Sequence, residues 1–208
     1  MSEGFLKRYT ELPYLLFALR MKQLTVVSPA TWDDRNDAHF LMTYQKRQNC
    51  GSVLALCFTR ASETYHHWRV FSSGSSGVCI DFDLAKFKAW ADNTPQVLFR
   101  DVTYRKLGEV RKKEFAVNEL PFVKRHAFRD EKESRLIYES PDADLLVQNV
   151  TFNISTISRI VLSPWLPKPV SDEVKKVILS IDGCSDLEVF RTSLIDNAEW
   201  KKRGECGV

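Results

Sequence analysis

The chain has 208 residues, of which 44% are hydrophobic and 12% aromatic, and it carries a net charge of +3. Such a composition excludes a disordered chain, fits a single domain over 1–208 with 171–208 as a possible helix–strand appendage, and shows no basic excess that by itself argues for nucleic acid. The five cysteines are scattered, odd in number and never in a CxxC pair, which argues for reduced thiols in a cytoplasm and against a disulfide framework or zinc site. The first residues show no signal peptide, and no apolar run approaches the length of a membrane span.

In chain order, residues 5–10 read as a strand, with Phe5, Lys7 and Tyr9 on one face and Leu6 and Arg8 on the other. Pro13 fits the first turn of a helix over 14–22, and β-branched residues predict a strand over 24–28. A loop dense in Asp and Asn follows, ATWDDRNDAHF, then a helix over 40–48. It lacks the glycine and terminal glutamate of a calcium loop, so Asp33 and Asp34 read as turn-forming residues beside an anchoring Trp32. Residues 53–59, VLALCFT, form an apolar run of strand length, as expected of a central strand buried on both faces. Ser62 or Thr64 would cap a helix carrying Tyr65, His66, His67, Trp68, Arg69 and Phe71. Its aromatic residues could pack in a core or wall a flat ligand ring. The Ser/Gly turn at 72–77 precedes a strand, 78–82, and so fails the test for a phosphate loop.

Asp83 would cap a helix over 84–91. Residues 95–104 hold a strand, 106–113 read as a solvated charged segment and 115–128 as helix. The stretch 123–138, VKRHAFRDEKESRLIY, joins four potential cations, Lys124, Arg125, His126 and Arg129, to a strand over 132–138. Period-two alternation there puts Glu131, Glu133 and Arg135 on one face, either as a polar site or as an exposed ion-pair ladder. Strands over 145–152 and 157–162, a proline-rich connector, a helix over 174–181, a strand over 188–194 and a frayed tail over 201–208 complete the reading. The fold class is α+β, with mostly antiparallel sheets and flanking helices.

Together these pieces resemble a mostly bacterial family known as domain of unknown function 2971. FLKRYT stands where that family has an aromatic–Lys–aromatic strand, so Lys7 matches its lysine. Ser28-Pro29, Trp32 and Asp34 fall on its next phrase, from which Asp33 and Arg35 depart. Cys57-Phe58-Thr59, the segment from His67 to Phe71 and Gly77-Val78-Cys79-Ile80-Asp81-Phe82-Asp83 follow, with Phe71 replacing a tyrosine. Lys124, Phe128, Glu131, Glu133 and Arg135 meet the last phrase. The order of these parts is also similar to the layout of ADP-ribosyltransferase-like folds.

That second resemblance implies NAD as substrate and ADP-ribosyl transfer or NAD cleavage, in a toxin or anti-phage effector, with no metal. Lys7 or Arg8 would hold the cofactor. Trp68 or Phe71 would stack on its ring, with Arg69 alongside. Glu133 or Glu131, next to Arg135, would stabilise an oxocarbenium-like transition state. The acceptor, protein or nucleic acid, is left open. Two other readings stand beside this one. In the first, a nucleic-acid binder or nuclease uses Lys124, Arg125, His126 and Arg129, with the acidic pair on Mg²⁺. In the second, the chain is a non-catalytic binding module.

Overall fold

The computed structural model describes residues 4–72, 74–112 and 114–205. Its strands are β1 (Phe5–Glu11), β2 (Gln23–Val27), β3 (Ser52–Thr59), β4 (Gly77–Asp83), β5 (Val97–Asp101), β6 (Thr103–Arg105), β7 (Val123–Arg125), β8 (Glu133–Ser140), β9 (Val147–Thr151), β10 (Ile157–Leu162) and β11 (Glu188–Arg191). Between and after them lie α1 (Leu12–Met21), α2 (Arg35–Gln48), α3 (Tyr65–Phe71), α4 (Leu84–Asp92), α5 (Leu107–Val110), α6 (Lys168–Leu179) and α7 (Ala198–Glu205). The α+β class, with a mostly antiparallel sheet, is what the sequence predicts.

The apolar run of β3 is the hub. Leu54, Leu56 and Phe58 enter the main core with Leu6, Phe82, Phe87 and Leu136. Val53 and Ala55 face the opposite way and pack with Leu41 and Tyr44 of α2. Both faces of the strand are therefore apolar, since successive side chains alternate. Each such fully buried Leu or Phe stabilises the fold by about 1.5–3 kcal/mol.

Pairing around β3 divides one nine-stranded sheet. One edge of β3 runs along β8 in full register, from Ser52 opposite Ser140 to Thr59 opposite Glu133. The other edge meets β1 only at Lys7–Thr59 and β2 only at Val27–Ala55. Between those two points β1 and β2 part, and a gap opens beside Cys57. Beyond β1 the sheet continues through β4, β10 and the parallel β11, so the expected appendage adds a strand to the same sheet.

Several boundaries differ from expectation for local reasons. α2 starts at Arg35 because Asp34 Oδ1 accepts from the backbone N–H of Asn36 and Asp37 at 3.0 and 3.3 Å, a strong N-cap. Residues 115–128 are not one helix. Pro121 has no N–H to give a helix and disfavours helical geometry in the residue before it. The chain instead makes two 3₁₀ turns, Val117–Phe122 and His126–Glu131, flanking β7. Lys132 takes a left-handed conformation, φ 43°, so β8 begins at Glu133 and Glu131 lies before the strand. α6 starts at Lys168, with a proline in its first turn. α7 replaces most of the expected tail, whose residues 206–208 lie outside the described residues. Among the described residues no helix is long and apolar enough to cross a membrane.

Candidate functional site

A cleft of about 480 Å³ opens where β1 leaves β3. β1 contributes Lys7, Arg8 and Tyr9, and β3 contributes Cys57, Phe58 and Thr59. Trp32, Asp33 and Asp34 come from the segment just before α2, Asp37 from its first turn, and Val70 and Phe71 from the end of α3. Lys124, Phe128, Glu131 and Glu133 close it from the stretch on which the sequence reading centred.

The floor is a network of three carboxylates and two cations. Glu133 Oε1 accepts from Arg135 Nε at 2.8 Å, and its Oε2 accepts from Lys124 Nζ at 3.0 Å. Lys124 also donates to Glu131 at 2.7 Å and lies 3.7 Å from Asp37. Arg135 reaches Asp37 through both terminal nitrogens and donates to the Pro121 carbonyl at 2.8 Å. The Tyr104 hydroxyl accepts from the Glu133 backbone N–H at 2.7 Å, which fixes the start of β8.

This arrangement separates the two glutamates electrostatically. Burial pushes the Glu133 carboxyl up, but Arg135 and Lys124 outweigh it and hold the group below its ordinary value. Burial pushes Glu131 up as well, and there Lys124 offsets it only in part. Asp37 is also raised, by burial against the pull of Arg135. Glu133 is thus ionised at neutral pH, with Arg135 on Oε1 and Lys124 on Oε2.

The other residues singled out in the sequence divide between the cleft and the core. Arg8 inserts into the gap between β1 and β3, where its Nη1 donates to the Cys57 carbonyl at 2.8 Å. Among the described residues it has no carboxylate partner, and burial pulls its pKa down, with Cys57 opposing. Lys7 also lines the cleft, but its amine is tied to Asp81 at 3.1 Å. Arg135 backs the cleft from full burial, its guanidinium 5.2 Å from the Trp32 ring.

Trp68 does not line the cleft. It is wholly buried, packs edge-on against Tyr9 at 5.1 Å and donates from Nε1 to Glu63 at 2.8 Å. α3 turns His67 and Trp68 inward, and Phe71, one turn beyond His67 and stacked on it at 5.9 Å, reaches the cleft wall instead. Arg69 points elsewhere, over the Trp165 ring at 4.3 Å. The basic run is divided too. Lys124 enters the cleft, while Arg125 and Arg129 face solvent. The acidic pair that a nuclease would place on Mg²⁺ is bound by Lys124.

Several contributors went unrecognised in the sequence, Trp32 among them, which read as a loop anchor. Asp37 and Asp34 lay in a loop read as structural, Cys57 in a strand read as core, and Tyr104 in a strand read as ordinary. The Asp-rich composition of the loop was the one local signal. No pattern in the sequence ties Asp37 to Arg135.

No family model and no curated protein matches the chain, so membership of the domain of unknown function 2971 family is not shown. Among the solved structures that resemble it are three of one protein. Thermus sp. 2.9 DarT in complex with ADP-ribosylated ssDNA is 13% identical, covers 92% of this chain and 95% of its own, and superposes with a TM-score of 0.49. DarT in complex with carba-NAD+ is 14% identical over 91% and 95%, with a TM-score of 0.46. DarT in complex with NAD+ is 14% identical over 92% and 96%, also at 0.46. Likeness this distant transfers no residue role to this chain.

Proposed function

We propose that the cleft binds NAD and cleaves its nicotinamide–ribose bond, passing the ADP-ribosyl group to an acceptor. The observation that supports this most directly is Glu133. It is an ionised carboxylate, 4% exposed, on the wall of a cleft of ligand size. As the glycosidic bond breaks, positive charge develops on the ribose, and a fixed carboxylate in a partly dry site stabilises it. Arg8, with no carboxylate of its own, is placed for an anionic part of the cofactor such as the pyrophosphate. Phe71 and Trp32 offer rings for the nicotinamide. Lys7 and Arg135 serve as positioning groups, since Asp81, Glu133 and Asp37 already occupy their charges. Such an activity would suit a toxin or an anti-phage effector, through loss of NAD or modification of the acceptor.

The test is Glu133→Gln. The network holds one more carboxylate than cations, so this change leaves Lys124 with Glu131 and Arg135 with Asp37, and the fold should persist. Nicotinamide release from NAD should fall by at least two orders of magnitude, in the range lost with one transition-state electrostatic group. Full turnover in a folded variant would remove Glu133 from the mechanism.

A further inference from the structure

The Glu133 carboxylate takes its donors from three side chains. Arg135 sets Nε and Nη2 against Oε1, at 2.8 and 2.7 Å, and Lys124 donates to Oε2 at 3.0 Å. The Cys57 thiol is the third donor. Cys57 stands opposite Arg135 in the register of β3 and β8, and Thr59 opposite Glu133. The thiol therefore shares their face and meets Glu133 on the diagonal. Burial and the Glu133 charge keep the thiol protonated, with Arg135 opposing. A carboxylate offers about four acceptor positions, and these donors fill them.

A ligand hydroxyl can thus bond to Glu133 only in exchange for a donor already there. The Arg135 and Lys124 donors carry charge, and losing either would leave a buried carboxylate short of its cation. The thiol is neutral and a weak donor. It is also within reach, because Cys57 lines the cleft and is the one residue of β3 that is not buried. The Cys57 carbonyl accepts from Arg8 Nη1 at 2.8 Å. One residue therefore joins the two groups that the NAD reading assigns to the pyrophosphate and to the ribose.

We propose that the Cys57 thiol stands in for a ribose hydroxyl, capping Glu133 before ligand binds and yielding its position to the nicotinamide-side ribose of NAD. The role rests on the NAD reading above and adds to it the residue that selects a ribose beside the anion. The exchange makes and breaks no covalent bond. The S–H leaves the carboxylate, a ribose O–H donates in its place, and each proton stays on its own atom. A pyrophosphate without that ribose, as in ADP, meets Arg8 and leaves the thiol where it is.

The experiment compares wild type with Cys57→Ala, which has no donor, and Cys57→Ser, which has a stronger one. Calorimetry gives Kd for ADP-ribose, which carries the second ribose, and for ADP, which lacks it. ADP-ribose should bind about threefold tighter to Cys57→Ala than to wild type and about threefold weaker to Cys57→Ser, the worth of one modest hydrogen bond. ADP should bind all three proteins alike. In nicotinamide release from NAD, the same order should appear in KM rather than in kcat. Weaker binding of ADP-ribose by Cys57→Ala would overturn the proposal, since the thiol would then hold Glu133 in the complex as well. So would equal affinities in the three proteins, no binding of ADP-ribose to any of them, or parallel shifts for ADP, which would trace the effect to Arg8 or to the fold. The expected order in ADP-ribose binding, by a wild-type protein that never releases nicotinamide, would keep the exchange and remove NAD cleavage alone.

Discussion

Arg135 holds Asp37 through both terminal nitrogens, at 2.9 and 2.7 Å, across 98 positions of sequence. The pair joins β8 to the first turn of α2, and so it fixes the cleft wall carrying Asp34 and Asp37 relative to Glu133. Both side chains are almost wholly inaccessible, so losing one partner leaves a buried charge uncompensated. A lysine at this position has one ammonium and cannot span Asp37, Glu133 and the Pro121 carbonyl together. Arg135→Lys should therefore lower unfolding free energy by about 3 kcal/mol, within the range for broken buried pairs. Urea denaturation measures this, and a variant as stable as wild type would show that the fork does not hold the wall.

Trp68 and Phe71 should separate stability from binding. Trp68→Phe keeps most of the buried ring but removes the donor to Glu63, so it should cost about 1–2 kcal/mol of stability and leave KM for NAD alone. Phe71→Ala changes a partly exposed ring on the cleft wall, so it should raise KM severalfold with little change in thermal midpoint. The reverse pattern, with KM moved by Trp68→Phe and untouched by Phe71→Ala, would return stacking to Trp68.

The fold was legible where the physics is local. Alternation in β1 and β8 and the apolar run of β3 announce strands, because a strand repeats every second residue and a central strand needs no polar face. Capping residues placed α4 through Asp83 and α3 through Ser62 or Thr64, of which Thr64 is the cap. Residues 115–128 misled because their apolar spacing imitates a helix, while Pro121 and the packing of Leu120 and Phe122 beneath α2 decide otherwise. At the site, Glu133 and Arg8 were readable as charges on strands. Which charge is already taken was not. Lys7 meets Asp81 through the sheet, and Arg135 meets Asp37 through the tertiary fold, and neither pairing leaves a mark in local sequence.

Lys124 offers the most searching test, because one amine serves Glu131 and Glu133 at once. In Lys124→Met, three carboxylates would face Arg135 alone. Glu133 would lose the cation on Oε2 and its pKa would rise, so the acid limb of nicotinamide release should move toward neutral pH. The stability signs follow from proton linkage. In wild type, the depressed Glu133 contributes stability above its unfolded-chain pKa and loses it as pH falls through the folded value. Glu131 and Asp37 are raised, so the folded state binds more protons than the unfolded one between their two values. Their contribution therefore declines as pH rises through that window. Removing Lys124 strengthens the second effect and weakens the first. The variant should thus lose about 3 kcal/mol at neutral pH and recover part of it on mild acidification, where wild type gains less. Urea titrations at stepped pH, run beside the pH profile of nicotinamide release, read both signs. An acid limb that stays in place while stability falls would confine Lys124 to the fold and leave Arg135 alone to keep Glu133 ionised.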